Sequence, residues 1–207
     1  MQPHGRPHMT TIAIVYHSGF GHTAALAEHI AKGAKGVAGT HVDLLKADDL
    51  AKPDAGPWDV LARADAIVFG TPTYMGSASA PFKQFMDASS KAWATQDWKN
   101  KIAGGFTVSA SQSGDKLATL TQLAVFAAQH GMIWTGTGML PGNNSSKASI
   151  EDVNRLGSFL GLMAQANADQ GPDVAPPQAD RKTAELFGAR IAHITAQFAG
   201  SKATAAA

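Results

Sequence analysis

Five apolar stretches rich in strand-forming residues recur along the chain: TIAIVY (11–16), THVDLL (40–45), DAIVFG (65–70), IAGGFTVS (102–109) and MIWTGTG (132–138). Helix-period segments separate them at 22–34, 79–91 and 114–130, and a last pair of helices is expected near 150–165 and 179–199. Strand–helix alternation with short connections predicts a parallel sheet covered by helices on both faces. Runs such as AIVFG are apolar at consecutive positions, as strands buried on both faces require. The segment 165–180, QANADQGPDVAPPQAD, is rich in Pro, Gly and Asp and reads as a loop before the last helix.

Open parallel sheets bind ligands beyond the carboxyl ends of their strands, where the strand order reverses. The first run leads into SGFGHT, Ser18, Gly19, Phe20, Gly21, His22 and Thr23, just ahead of a helix. Small residues let N–H groups converge there, the helix start adds positive partial charge, and Ser18 and Thr23 add hydroxyls. This is a phosphate cradle without Lys or Arg. It lacks the Gly-Lys-Ser/Thr of a Walker loop and the third glycine of the dinucleotide fingerprint. Alone, it reads equally well as a tight turn with a helix cap.

The third run leads into Gly70–Asp87, where Pro72 holds Thr71 extended and an extended turn is expected. Thr73, Tyr74 and Met75 follow, then a flexible Gly76. An aromatic ring and a thioether beside a glycine suit a flat ring ligand. The fourth run leads into Ser109, Ala110, Ser111, Gln112, Ser113 and Gly114, whose amides can bond the edge of a heterocycle. Three such loops at three adjacent strand ends describe one pocket: a phosphate at the first, a planar ring between the other two.

Composition narrows the partners. The chain has 207 residues, suiting one domain over 10–200, with 1–9 a tail or remnant and 201–207 a frayed end. A net charge of +1 gives no basic field for nucleic acid. No apolar run reaches the roughly 20 residues that span a bilayer, and MQPHGRPHM lacks the apolar core of a signal peptide. A cytoplasmic location is expected. The chain contains no cysteine, which excludes disulfides, thiol catalysis and thiolate-bound metals. The histidines show no ligand spacing, so no metal site is expected.

The stretches IVYHSGFGHTAALAEHIAKGA, DAIVFGTPTYMGSASAPFKQFMD, WATQDWKNKIAGGFTVSASQSG and AAQHGM carry a resemblance. The chain resembles the flavodoxin-like FMN proteins, and within them the NAD(P)H:quinone oxidoreductases of the tryptophan-repressor-binding-protein (WrbA) type. The match runs from residue 11 to about 140. The resemblance implies a three-layer sandwich with a five-stranded parallel sheet in the order 2-1-3-4-5. It implies an FMN-phosphate loop at Ser18–Thr23, a ring-flanking loop at Pro72–Gly76 and a third FMN loop at Ser109–Gly114. It further implies a flavin-site role, catalytic or binding, for His130, a nicotinamide-side position for Phe20 and a quinone-pocket position for Trp93. NADH or NADPH would be the donor, a quinone the acceptor, and a homodimer or homotetramer the assembly. The family often has Arg where this chain has Tyr74, and its third loop is usually richer in glycine.

On the residues alone, His130 ahead of Gly131 reads as a helix C-terminal cap. His22, at a positive helix end, reads as a packing residue. The alternative to an enzyme is a flavodoxin-type electron carrier. Such carriers dock through strongly acidic surfaces, and this chain's charge is near neutral. A phosphoacceptor receiver would need carboxylates after the first and third strands, where this chain has His17-Ser18 and Gly70-Thr71.

Overall fold

A computed structural model describes residues 9–205. Of the expected terminal segments 1–9 and 201–207, residues 1–8 and 206–207 lie outside these residues. The strands are β1 (Thr10–Tyr16), β2 (Thr40–Lys46), β3 (Ala66–Tyr74), β4 (Ser77–Ala78), β5 (Ile102–Ser109), β6 (Ile133–Trp134) and β7 (Leu162–Gln165). The helices are α1 (His22–Lys35), α2 (Trp58–Arg63), α3 (Ala80–Ala88), α4 (Ser90–Thr95), α5 (Lys116–Gln129) and α6 (Gln178–Ala205).

The parallel sheet runs β2-β1-β3-β5-β6, with β7 also beside β5. The expected order 2-1-3-4-5 holds, but its fifth position is divided. β6 pairs with the start of β5 through Ile102–Ile133, and β7 pairs with its end, from Phe106–Leu162 to Ser109–Gln165. The chain between them, 135–161, leaves the sheet and returns. A short hairpin adds β4 antiparallel to β3 through Thr73–Ala78.

Alternate strand residues feed two cores. Ile12, Ile14, Val68, Phe106 and Val108 pack under α1 and α6 with Leu26, Ile30, Phe187 and Ile191. Val15, Ile67 and Phe69 pack on the other face with Leu50, Phe82, Phe85, Trp98, Leu123 and Phe126. Both faces are buried, which is why the strand runs are continuously apolar. In α6, buried pairs recur every four residues, at Ala179–Asp180, Thr183–Ala184, Phe187–Gly188 and Ile191–Ala192. That stripe is one helix face.

The helix expected near 150–165 is absent. LGSFLGLMAQA carries enough apolar residues for a helix face, but Asn154 and Gly157 adopt positive φ and stop one from forming. Asn154 instead organises the excursion. Its side chain donates to the Met139 and Ser158 carbonyls and accepts from the Ser158 N–H. The chain then enters β7. The expected helix at 79–91 is divided at Ser89 into α3 and α4. Pro72 keeps the chain extended as expected, but strand rather than turn continues to Tyr74. The α6 backbone is helical to Ala205.

α1 and α6 cross in backbone contact. A Cβ on Gly188 would lie 2.0 Å from the Ile30 carbonyl oxygen, and one on Gly33 would lie 1.8 Å from that of Glu185. Neither obstacle is a movable side chain. Gly188→Ala should therefore destabilise the protein by about 1–3 kcal/mol through overpacking, despite alanine's better helix propensity. Urea unfolding measures this; a stabilised variant would contradict the crossing geometry.

Candidate functional site

β1, β3 and β5 end at one edge of the sheet, and the three loops that follow them surround a cavity of about 380 Å³. The first wall is the turn 18–23. Gly21 has φ 89°, a conformation glycine adopts without a side-chain clash, and it opens α1. A Cβ there would also sit 2.7 Å from the Pro172 ring. The Ser18 hydroxyl accepts the Ala24 N–H at 3.1 Å, which pins the turn to the helix. Among the described residues, no protein acceptor takes the N–H groups of residues 18–23. Thr23 is buried against the cavity, and its hydroxyl has no protein partner. Unpaired donors at a helix start are an anion site.

The second wall is Pro72–Gly76. Beneath it lies a buried hydroxyl network that the sequence reading missed. Thr73 Oγ1 contacts Thr107 Oγ1 at 2.7 Å and donates to Thr119 Oγ1 at 2.8 Å. Thr107 donates to the Thr71 carbonyl, and Thr71 contacts the Ser79 hydroxyl. The network ties β3, β5, α3 and α5 into one rigid floor. Above it Tyr74 stands edge-on to Phe20, with ring centroids 6.4 Å apart. Met75 is fully exposed at φ 50°, a strained conformation for a side-chain-bearing residue. Burial holds the Tyr74 phenol above its ordinary pKa, so it stays neutral.

The third wall is Ser109, Ala110, Ser111 and Gly114, completed by Val108 and by Ala166 and Ala168 of the loop after β7. Those last three residues carried no signal in the sequence, since a small apolar wall residue looks like any core alanine or valine. The 166–173 loop is anchored where His22 Nε2 lies 2.7 Å from the Gln170 carbonyl, consistent with a packing role for His22. Among the described residues, no acidic side chain lines the cavity.

The structure thus brings together Gly19, Phe20, His22, Thr23, Pro72, Thr73, Tyr74, Met75, Gly76, Ser109, Ala110, Ser111 and Gly114. Ser18 and Gly21 shape the first turn from behind. Gln112 and Ser113 face outward, toward α5 and residues 156–160.

Trp93 and His130 do not reach the cavity, which corrects the expectation for both within one chain. α3 and α5 run antiparallel to the strands, so their C-terminal ends lie at the opposite edge. His130 is 1% exposed, stacked on Trp98 at 4.1 Å and edge-on to Phe126 at 4.9 Å. Its Nε2 lies 2.9 Å from the Ser89 hydroxyl, which itself donates to the Met86 carbonyl. Nε2 therefore carries the proton, and Nδ1 is a buried, unpaired acceptor. Trp93, on α4, is 49% exposed at the same far end.

The matching family model describes NADPH-dependent FMN reductases and covers residues 12–145, from β1 through all three loops. The chain belongs to this family. It is 40% identical over 189 residues to "Flavodoxin FldP" of Pseudomonas aeruginosa, covering 91% of this chain and 98% of that protein. It is 30% identical over 207 residues to a "NAD(P)H dehydrogenase (quinone)" of Chromohalobacter salexigens, covering 93% and 100%. A solved WrbA-like flavodoxin from Agrobacterium tumefaciens is 38% identical with a TM-score of 0.68, over 91% of this chain and 98% of that one. The fold is flavodoxin-like, and the family's cofactor is FMN.

The cavity fits that cofactor: unpaired N–H groups and the free Thr23 hydroxyl suit its phosphate, and uncharged walls with exposed rings suit its flavin. Gly21→Ala would force a side chain into a strained φ and against Pro172. FMN affinity should fall at least about tenfold, with each tenfold equal to about 1.4 kcal/mol; fluorescence titration reads this, and unchanged affinity would contradict the turn's role.

His130 yields a second prediction. Burial pushes its pKa down to about 4, whereas the unfolded chain protonates near 6.5. Between those values the unfolded state binds more protons, so stability falls as pH drops through that window. Wild-type protein should lose about 2–3 kcal/mol more than His130→Gln between pH 7 and 4.5. Equal losses in urea unfolding would contradict this.

Proposed function

We propose that the protein holds FMN in this cavity and works as an NAD(P)H:quinone oxidoreductase. The supporting observation is a turn of unpaired amides at a helix start, opening into an uncharged, ring-walled cavity at the sheet's switch point. Bound FMN would supply the two-electron redox chemistry that links a reduced nicotinamide to a quinone. The relatives named NAD(P)H dehydrogenase (quinone) align over at least 91% of the chain.

The chain's own groups then bind and orient. The amides of 18–23 and Thr23 hold the phosphate, with no cation needed. The hydroxyl floor under Thr73 keeps the second loop from yielding. Phe20, 75% exposed, and the outer faces of Tyr74 and Met75 form the apolar entrance that a nicotinamide or quinone ring would meet. One exposed entrance serves donor and acceptor in turn. Among the described residues, no acid or base lines the cavity besides His22 and Tyr74, so solvent supplies protons.

The protein is proposed to act in the cytoplasm as a homodimer or homotetramer. Any contact of Trp93 with a quinone would be with a neighbouring subunit's cavity. No described helix is long and apolar enough to cross a membrane.

Purified FMN-loaded protein should oxidise one equivalent of NADH or NADPH alone and turn over continuously only when a quinone is present, at a rate on the order of 1–10³ s⁻¹. Double-reciprocal plots against each substrate should be parallel. FMN binding without pyridine-nucleotide oxidation would instead favour the electron-carrier reading, which the likeness to Flavodoxin FldP keeps in view.

A further inference from the structure

Lys116 opens α5, yet it is 1% exposed. Its ammonium points away from solvent and into the back of the third loop. All three of its donors are used: Ser109 Oγ, the Ser111 carbonyl and the Gln112 carbonyl, each at 2.8 Å. Ser109 Oγ also donates to the Ser111 carbonyl at 3.0 Å, closing a ring of contacts around the ammonium. Ser109 and Ser111 line the cavity, so the charge lies one hydrogen bond behind its wall.

The rest of the loop is braced from the other side. Gln165 of β7 donates to the Ala110 carbonyl at 3.0 Å. Gln165 is itself held by Asp180, which accepts its N–H at 2.9 Å and forms a two-pronged, nearly buried pair with Arg155. Residues 109–112 are thus all fixed by side chains. The loop's geometry is imposed from behind.

We infer that Lys116 is a positioning residue for the flavin, fixing the third loop through Ser109, Ser111 and Gln112 and presenting a buried positive charge to the ring that favours its reduced form. The inference rests on FMN occupying the cavity. The carboxylate nearest in influence is Asp180, but it is already neutralised by Arg155; Asp115, next in the chain, is the only other charged neighbour the loop supplies. The ammonium's own hydrogen bonds go to neutral oxygens, which leave its charge uncompensated by direct contact. Reduced FMN carries more negative charge than oxidised FMN, and a fixed cation in a poorly solvated site acts on that difference. Burial also brings the Lys116 pKa down to about 8, so the charge is present at neutral pH and lost above it.

The test compares dissociation constants for oxidised and reduced FMN, the latter measured anaerobically, in wild type, Lys116→Gln, Lys116→Met and Lys116→Arg. Gln keeps a donor without the charge, Met keeps the length, and Arg keeps the charge. Circular dichroism of the apo proteins checks folding. Gln and Met should weaken reduced FMN about tenfold more than oxidised FMN, lowering the two-electron midpoint potential by about 30 mV. Arg should stay closer to wild type. If Gln and Met leave the ratio of the two constants unchanged, the inference is overturned, whether or not both constants rise together. Should neither variant fold, the same ratio in wild type decides: a preference for reduced FMN that weakens above pH 8, beyond free FMN's own titration, supports it, and a flat preference overturns it. A wild-type protein that binds no FMN would defeat the functional reading itself, a separate result.

Discussion

The structure turns on a set of backbone N–H groups that the fold leaves without acceptors. Among the described residues, none accepts from the amides of 18–23, because β1 has ended and α1 has not completed its first turn. Donors at a helix start without a protein acceptor are left to water or to a ligand that accepts from them. Everything around the turn holds it in that state. Gly21 supplies a left-handed φ, Ser18 staples the turn to Ala24, and Pro172 packs on the glycine. An anion would complete it, and among the described residues no lysine or arginine lines the cavity.

Rigidity elsewhere serves the same edge. The threonines of β3, β5 and α5 bond one another beneath the second loop, and Lys116 and Gln165 brace the third. Two cores on either face of the sheet fix where those strands end. α1 and α6 approach until glycine is all that fits between their backbones, which sets the position of the helix start behind the anion turn. Met75, strained and fully exposed, faces outward from the second loop.

Most of this was legible in the chain. TIAIVY, DAIVFG and IAGGFTVS read as buried strands because both faces of the sheet are covered, and each pointed to a loop of the cavity. Patterns with local causes were readable, such as small residues before a helix or Pro72 holding a strand extended. Features that depend on distant partners were not. LGSFLGLMAQA looked helical, but Asn154 and Gly157 turn the chain and β5 takes Leu162–Gln165 as a strand. His130 looked like a flavin ligand by resemblance, yet its helix ends at the opposite edge, in an aromatic nest with Trp98 and Phe126. The capping reading of its sequence context was nearer, since it sits at the C-terminal end of α5. Lys116 drew no notice because a lysine at a helix start is ordinarily solvated, and only the fold shows its ammonium turned inward.

The central claim is that the amides of 18–23 receive the ligand's phosphate. Amide proton and nitrogen shifts, recorded by NMR as FMN is titrated into the apo protein, test it most directly. The account predicts the largest downfield proton shifts at Gly19 to Thr23, where donors without partners gain a charged acceptor. Shifts concentrated at 135–161 or around His130, with residues 18–23 unmoved, would contradict it.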